Sequence, residues 1–315
     1  MLNFTQLRGA ATRTLGQTPK AKRIIFIHTG VVLLVSLLLS AADFLLEQQI
    51  GTTGGLGGLD TRSMLTTIQT VLRLTLTIAL PFWQIGYTYF TLRVAQGKDA
   101  GTAHLLEGFR RFGPVLRLNL LMAAIVFFAI MVSTYLSSML FMLTPFSAPF
   151  SEIMNTLSDG ALDEAAALEM LNTAMVDVAL PLMIIFGLCL LIVGIFLLFR
   201  YRMAYLWLMD HQESGALAAL RNSKMLMRGN CLALFKIDLY FWWFYLLDVL
   251  ISLICYGDLF LDAMGVSLPF SANAAYFIFL VIYMVAQLSL YCWKQNEVSV
   301  TYAHAYQALS APEAE

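Results

Sequence analysis

The sequence predicts an all-α membrane protein: a six-transmembrane-helix bundle with two amphipathic elbow helices on its cytoplasmic face. Three observations carry that reading. Hydrophobic residues make up 59% of the 315 and charged residues only 12%, against about 25% charged in an average soluble domain. The mean hydropathy is +0.75. Too few polar groups remain to cover a water-facing surface, so lipid must solvate most of the chain. Six apolar runs also have the ~20 residues that a helix needs to cross ~30 Å of hydrocarbon. Finally, the basic residues fall on one side of those runs, as cytoplasmic flanks do.

Residues 1–23 carry Arg8, Arg13, Lys20, Lys22 and Arg23 and read as a cytoplasmic N-terminal segment. Run one, Ile24 to Leu46, ends near Ser40-Ala41-Ala42, a small-residue triplet like those of signal-peptide cleavage sites. The run exceeds the usual ~7–15 residues of a signal peptide, and 23 residues precede it, so an uncleaved anchor is expected. The loop "GTTGGLGGLDTRS" is glycine-rich and reads as flexible. It lacks the GK[ST] that a phosphate-cradling loop requires. Run two, about Leu72 to Leu92, contains Pro81. Run three is Leu118 to Met142, run four Ala179 to Phe199, run five about Ile237 to Tyr256, and run six Ala275 to Trp293.

The connection between runs two and three holds Arg93, Lys98, Arg110, Arg111 and Arg117. That between four and five holds Arg200, Arg202, Arg221, Lys224, Arg228 and Lys236, and Lys294 follows run six. With the N-terminal five, 17 of the 19 basic residues lie on one side of a six-span arrangement. Arg62 and Arg73 are the exceptions. Both termini are therefore expected in the cytoplasm, with residues 24–294 as the transmembrane domain and 295–315 as a cytoplasmic tail. Helices are required because lipid offers no partners to an open backbone, and the runs do not alternate as barrel strands do.

The opposite side is acidic. Glu152, Asp159, Asp163, Glu164, Glu169 and Asp177 lie between runs three and four. Asp163 to Met175 is rich in Ala, Leu, Glu and Met and favours a helix. A solvated helical cap is one reading and a calcium or cationic-ligand site another, although EF-hand spacing is absent.

The stretch "ALAALRNSKMLMRGN" (Ala216 to Asn230) forms the second elbow. At about 100° per residue, Arg221, Lys224 and Arg228 share one face. Ala216, Ala219, Ser223, Leu226 and Met227 occupy the other half, with Leu217 an apolar exception on the basic side. Ser214 is the expected N-cap and Gly229 the expected stop. Two readings stand. The segment lies on anionic head groups with its basic stripe, or it is a bent connector packed on the bundle. Arg110 and Arg111 hold the corresponding place in the first elbow. Shifted by 116 residues, the first connection overlays the second: Tyr89 meets Tyr205, Ala103 meets Ala219 and Gly113 meets Gly229. This is a weak internal repeat, parallel in sense.

At these residues the chain resembles a known family. "RYRMAYLWLMDHQESGALAALRNSKMLMRGNCLALFKIDLYFWW", through Tyr201, Ala204, Asp210, Ala219, Ser223, Met227, Gly229, Phe235, Leu239, Phe241 and Trp243, resembles the elbow of an uncharacterised family of bacterial multi-pass membrane proteins. That family is known only as a domain of unknown function. "GKDAGTAHLLEGFRRFG" resembles its first elbow. The likeness runs from about Arg8 to Gln307. Departures are His211, where the family often has Pro, and Tyr240, where it often has Ser. The resemblance implies a helical protein of the cytoplasmic membrane, of a kind common in Gram-positive bacteria, and brings no catalytic residues.

A net charge of −1 argues against nucleic-acid binding. Cys189, Cys231, Cys255 and Cys292 show no CxxC or CxxH spacing and read as buried, inert thiols. His28, His104, His211 and His304 are scattered, and no HExxH or GxSxG occurs. Neither cofactor nor metal is expected, and the chain does not read as an enzyme. His28, one turn inside run one, reads as hydrogen-bonded structure.

Charges inside the membrane are costly and suggest function. Asp248 is 12 residues past Lys236, hence ~18 Å deep at 1.5 Å per residue. Its neighbours Leu246, Leu247, Val249 and Leu250 offer no local partner. It is either hydrogen-bonded in the bundle, or facing a water-filled cavity as a proton or cation site, or shallower than the count suggests. Arg73 falls at the outer boundary, where Asp43 is within reach. Trp242, Trp243, Tyr240 and Tyr245, with Tyr87, Tyr89 and Phe90, read as an interfacial aromatic belt.

The leading expectation is a non-enzymatic membrane scaffold or envelope-associated component, touching anionic lipid and an unidentified protein partner. The alternative is a small-molecule or proton-coupled transporter, suggested by Asp248, Pro81 and the repeat.

Overall fold

The computed structural model describes residues 4–52, 58–148, 151, 164–257, 260–261 and 272–311. Among them every regular element is a helix. In chain order these are α1 (Phe4–Gln17), α2 (Ala21–Thr52), α3 (Gly58–Ala95), a 3₁₀ turn (Thr102–Leu106), α4 (Glu107–Arg110) and α5 (Phe112–Met142). Then follow α6 (Glu164–Tyr201), α7 (Ala204–Asp210), α8 (Ala216–Leu226), α9 (Cys231–Tyr240), α10 (Trp242–Ile254) and α11 (Ala272–Leu290). A π-helical segment (Tyr291–Gln295) leads into α12 (Asn296–Ser310).

Four helices or continuous helical stretches are long and apolar enough to cross a membrane: Ala21–Ala42, Phe112–Met142, Ala179–Asp210 and Ala275–Ser310. The pair α9 and α10, bent by 59°, makes a fifth if it counts as one span. The expected run two lies on α3, which is not among them. Its threonines, with Arg73, Gln84 and Arg93, dilute the apolar stretch, and Pro81 leaves the helix continuous. Run five is not straight. It breaks at Phe241, so Asp248 stands seven residues into α10, about 10 Å from the bend rather than ~18 Å deep in a single helix.

The glycine-rich stretch is helical at both of its ends, since α2 runs to Thr52 and α3 begins at Gly58; residues 53–57 lie outside those described. From Glu164 on, the expected helix at Asp163–Met175 is the opening of α6, which continues without a break to Tyr201; Asp163 lies outside the described residues. The acidic side chains from Glu152 to Asp177 lie outside the described residues, so the cap and cation readings are left as expectations.

The chain divides into two compact units, Met1–Leu116 with Met203–Glu315, and Arg117–Arg202. In the larger unit α12 is the hub: α1, α2, α3 and the π segment all pack on it, while α3 also receives the first elbow and α7. Side chains buried almost completely gather at one end of α2 and α3, among them Ile24, Ile25, Phe82, Tyr87, Phe90 and Leu92. Tyr306 on α12 and Met203 and Leu208 around α7 are equally enclosed. This is the end that carries the basic residues.

Two glycines allow the closest approach in that layer. A Cβ on Gly86 would sit 1.8 Å from the carbonyl oxygen of Leu105, and one on Gly108 would sit 2.0 Å from that of Phe82. The backbones of α3 and the first elbow therefore touch directly. Gly97 (φ 67°) closes α3 and Gly229 (φ 83°) ends the second elbow, the left-handed helix-stop conformation that glycine adopts without steric cost.

The elbows are not copies of each other. The first is a 3₁₀ turn plus a single turn of α-helix, whereas the second contains the 11-residue α8. Gly113, which the 116-residue shift pairs with Gly229, lies inside α5 without a positive φ. The smaller unit holds the greater part of α5 and almost all of α6. Only 6% of the apolar window in α6 is buried, against 28% in α2. Ser133 and Ser137 on α5 and Cys189 on α6 are among its buried residues.

Candidate functional site

The polar groups of the packed layer are used to tie helices together. Asn296 donates from Nδ2 to the carbonyl of Ala21 at 3.0 Å and accepts from the Tyr87 hydroxyl at 2.8 Å, joining α12 to α2 and α3. Asp210, at the end of α7, accepts from Gln96 Nε2 at 2.8 Å and from the Tyr306 hydroxyl at 3.0 Å. Glu297 is held by Arg8 Nε at 2.8 Å and Lys294 Nζ at 2.7 Å. The hydrogen bond to Glu297 holds the Arg8 guanidinium above its ordinary pKa. Tyr302 donates to Asp238.

Arg111 was expected on the membrane surface and is found turned into the protein. Its guanidinium donates to the carbonyls of Leu208 and Gln212, capping α7 where the helix leaves its last carbonyls open. Burial lowers its pKa from the ordinary value. Arg110 is exposed and pairs with Glu107 at 3.4 Å across one helical turn, a geometry that contributes little in water.

Arg221, Lys224 and Arg228 are exposed as the helical spacing implied. The opposite stripe, Ala216, Ala219, Ser223 and Met227, is buried at 0–5% exposure, and α8 packs on α7. Small residues let that approach be close. The apolar face of the elbow is therefore filled by protein, not by acyl chains. Leu217, 73% exposed, and Met225 share the outer side with the cations, while Leu226 is half-buried. Gly215, in an extended conformation, takes the N-cap place expected of Ser214.

Asp248 does have a partner, though not a local one. Gln287 Nε2 on α11 donates to its Oδ1 at 2.6 Å, and Ser252 bonds its backbone carbonyl at 2.8 Å. Gln287 is 5% exposed, and its Oε1 has no hydrogen-bond partner among the described residues. The signal for this pair was the lone glutamine of the apolar run Ala275–Trp293. His28 is structural in the expected sense: Nε2 meets Gln84 Oε1 at 3.0 Å and its ring stacks on Tyr87 at 4.4 Å. Trp83 donates to the His28 carbonyl at 3.2 Å. Arg73 is exposed, and the side chain of Asp43, its expected neighbour, lies outside the described residues.

Among the cysteines only Cys189 is buried. Cys231 is exposed and Cys255 and Cys292 are half-buried, because α9 and the π segment each leave a side open. Among the described residues no three His, Cys, Asp or Glu side chains gather as a metal site requires.

Fold and site together define a multi-pass helical membrane protein whose polar groups largely secure one packed end. The chain belongs to the family described as protein of unknown function (DUF975), whose model matches residues 16–293. No curated protein matches the chain, and no solved structure does.

Proposed function

We propose that this is a six-span protein of the bacterial cytoplasmic membrane, with α3 and the bent α9–α10 pair completing the count and both termini in the cytoplasm. It acts as a non-enzymatic scaffold or envelope-associated component. Its packed layer rests on the inner leaflet and presents a surface to a protein partner. The observation that carries the reading is the second elbow: Arg221 and Lys224 are exposed on a helix whose other face is locked into the protein, and Arg228 is exposed in the turn that follows it. A rigid, outward basic stripe suits anionic head groups, at about 1 kcal/mol per cation near the surface, weakened by salt.

Amide exchange in α8 should be slower for the full chain in anionic nanodiscs than in neutral ones, and equal exchange in both contradicts the reading. For orientation, a cysteine at Thr156 or Gly265 should react with an impermeant reagent on intact cells, and one at Ser214 should be spared. The reverse pattern rejects the topology.

A second reading, a proton-coupled or small-molecule transporter, is favoured by one observation, the Asp248–Gln287 pair, whose Gln287 Oε1 finds no partner among the described residues. Uptake in proteoliposomes across pH, wild type beside Asp248→Asn, decides it. Identical behaviour at every pH removes the reading.

A further inference from the structure

We propose that the cavity between the α1–α2 corner and the π segment binds the phosphate head group of an anionic phospholipid. This rests on the reading above only in requiring that this end of the larger unit meets the membrane surface.

The cavity measures about 410 Å³ and is lined by Thr12, Gly16, Thr18, Lys22, Trp293 and Glu297, among others. That volume falls in the range of small-ligand sites. Its level is set from both sides. The spanning stretch of α2 opens at Ala21, one residue before Lys22, and Trp293, where the sixth apolar run of the sequence ends, lies in the π segment that follows α11. A tryptophan and a lysine at the ends of neighbouring spans are the side chains that sit among head groups. Trp293 is 65% exposed.

Charge selects the ligand. Glu297 is the carboxylate in the lining, and Arg8 and Lys294 already hold it at 2.8 and 2.7 Å. Lys22, exposed, adds a cation in the wall. Arg8, Lys294 and Lys22 thus set three cations against one carboxylate, and the net charge favours an anion. The cavity also lies at the positive end of a 32-residue helix, although the Ala21 and Ile24 N–H groups there are already bonded to the carbonyls of Thr18 and Lys20. The π segment widens the backbone beside the cavity, and such bulges often mark functional positions.

What continues away from the cavity suits acyl chains. Phe26 on α2 and Val285 and Ile282 on α11 are exposed apolar side chains, and the two helices pack on each other. A soluble phosphate would use the cations and leave these rows bare, so the lipid is the better occupant.

Native mass spectrometry of the full chain in detergent tests this, titrating phosphatidylglycerol, phosphatidylcholine and soluble glycerol phosphate. Phosphatidylglycerol should bind more tightly than phosphatidylcholine, and Lys22→Gln should weaken its tightest site about fivefold. Gly16→Leu should weaken it similarly by filling the cavity. A Cβ at Gly16 meets nothing within 4 Å, so this variant keeps the test decisive if Lys22→Gln does not fold. The triple change Arg221→Gln, Lys224→Gln, Arg228→Gln should leave this site intact, which separates it from the elbow. Equal affinity for the two lipids overturns the proposal, as does indifference to Lys22→Gln and Gly16→Leu. Displacement of the lipid by equimolar glycerol phosphate would assign the site to a free phosphate ester instead.

Discussion

The packed end of the larger unit and the helices of the smaller unit solve the solvation problem in opposite ways. At the packed end, Tyr87, Phe90, Leu92, Leu208 and Tyr306 are essentially enclosed, and the two tyrosine hydroxyls, with Asn296 and Asp210, pair across α2, α3, α7 and α12. In α6, Met183, Ile192, Phe196 and Leu198 are 61–70% exposed. In water such a face would be an aggregation or docking surface. In lipid it costs little, because acyl chains are as apolar as leucine and no hydrophobic force drives helices together. The difference teaches that specific structure in this molecule is concentrated where the chain must leave the bilayer.

The contrast predicts which substitutions matter. Gly86→Ala or Gly108→Ala drives a Cβ into a carbonyl oxygen and should cost roughly 3 kcal/mol or more. Gly187→Ala and Gly194→Ala in α6, where a Cβ meets nothing within 4 Å, should be neutral or stabilise by about 0.5–1 kcal/mol. Detergent melting of the four variants checks the pair of expectations, and equal losses in both regions would break the comparison.

A smaller effect separates neighbours. Arg111→Met strands two carbonyls and should cost about 2 kcal/mol, whereas Arg110→Ala should stay within about 0.5 kcal/mol. Urea titration of the two proteins in micelles distinguishes a clamp from a solvated charge. The least effect is expected for Asp248→Asn. It keeps an acceptor for Gln287, and polar pairs inside membranes average only about 0.6 kcal/mol, so its melting curve should nearly overlay the wild type.

Much of this was legible in the sequence, because hydrophobic run length and helical spacing are local. The apolar stretches, the exposed stripe of Arg221, Lys224 and Arg228, and the stop at Gly229 follow from counting along the chain. What escaped depends on where a second segment lies. Arg111 and Arg110 are adjacent and look alike, yet only the first reaches the carbonyls of α7. A hydrogen bond inside the bundle was one reading for Asp248, but its partner could not be named because Gln287 is 39 residues away. Gly86 and Gly108 sit in ordinary surroundings, and nothing local says that their backbones meet. The resemblance pointed to the right neighbourhood: Asp210, Ala219, Ser223 and Met227 are all buried or pinned in the packed layer.

The most direct measurement asks which solvent each exposed face meets. Single cysteines placed at Ile192 and Phe196 in α6 and at Leu217 and Met225 in α8 all replace exposed residues. They would be introduced with Cys189, Cys231, Cys255 and Cys292 replaced, and the protein reconstituted in nanodiscs. A membrane-impermeant thiol reagent should modify the two α8 positions rapidly and leave the α6 positions unmodified until detergent is added. Rapid modification of Ile192→Cys and Phe196→Cys in the intact bilayer would contradict the account, because α6 would then face water.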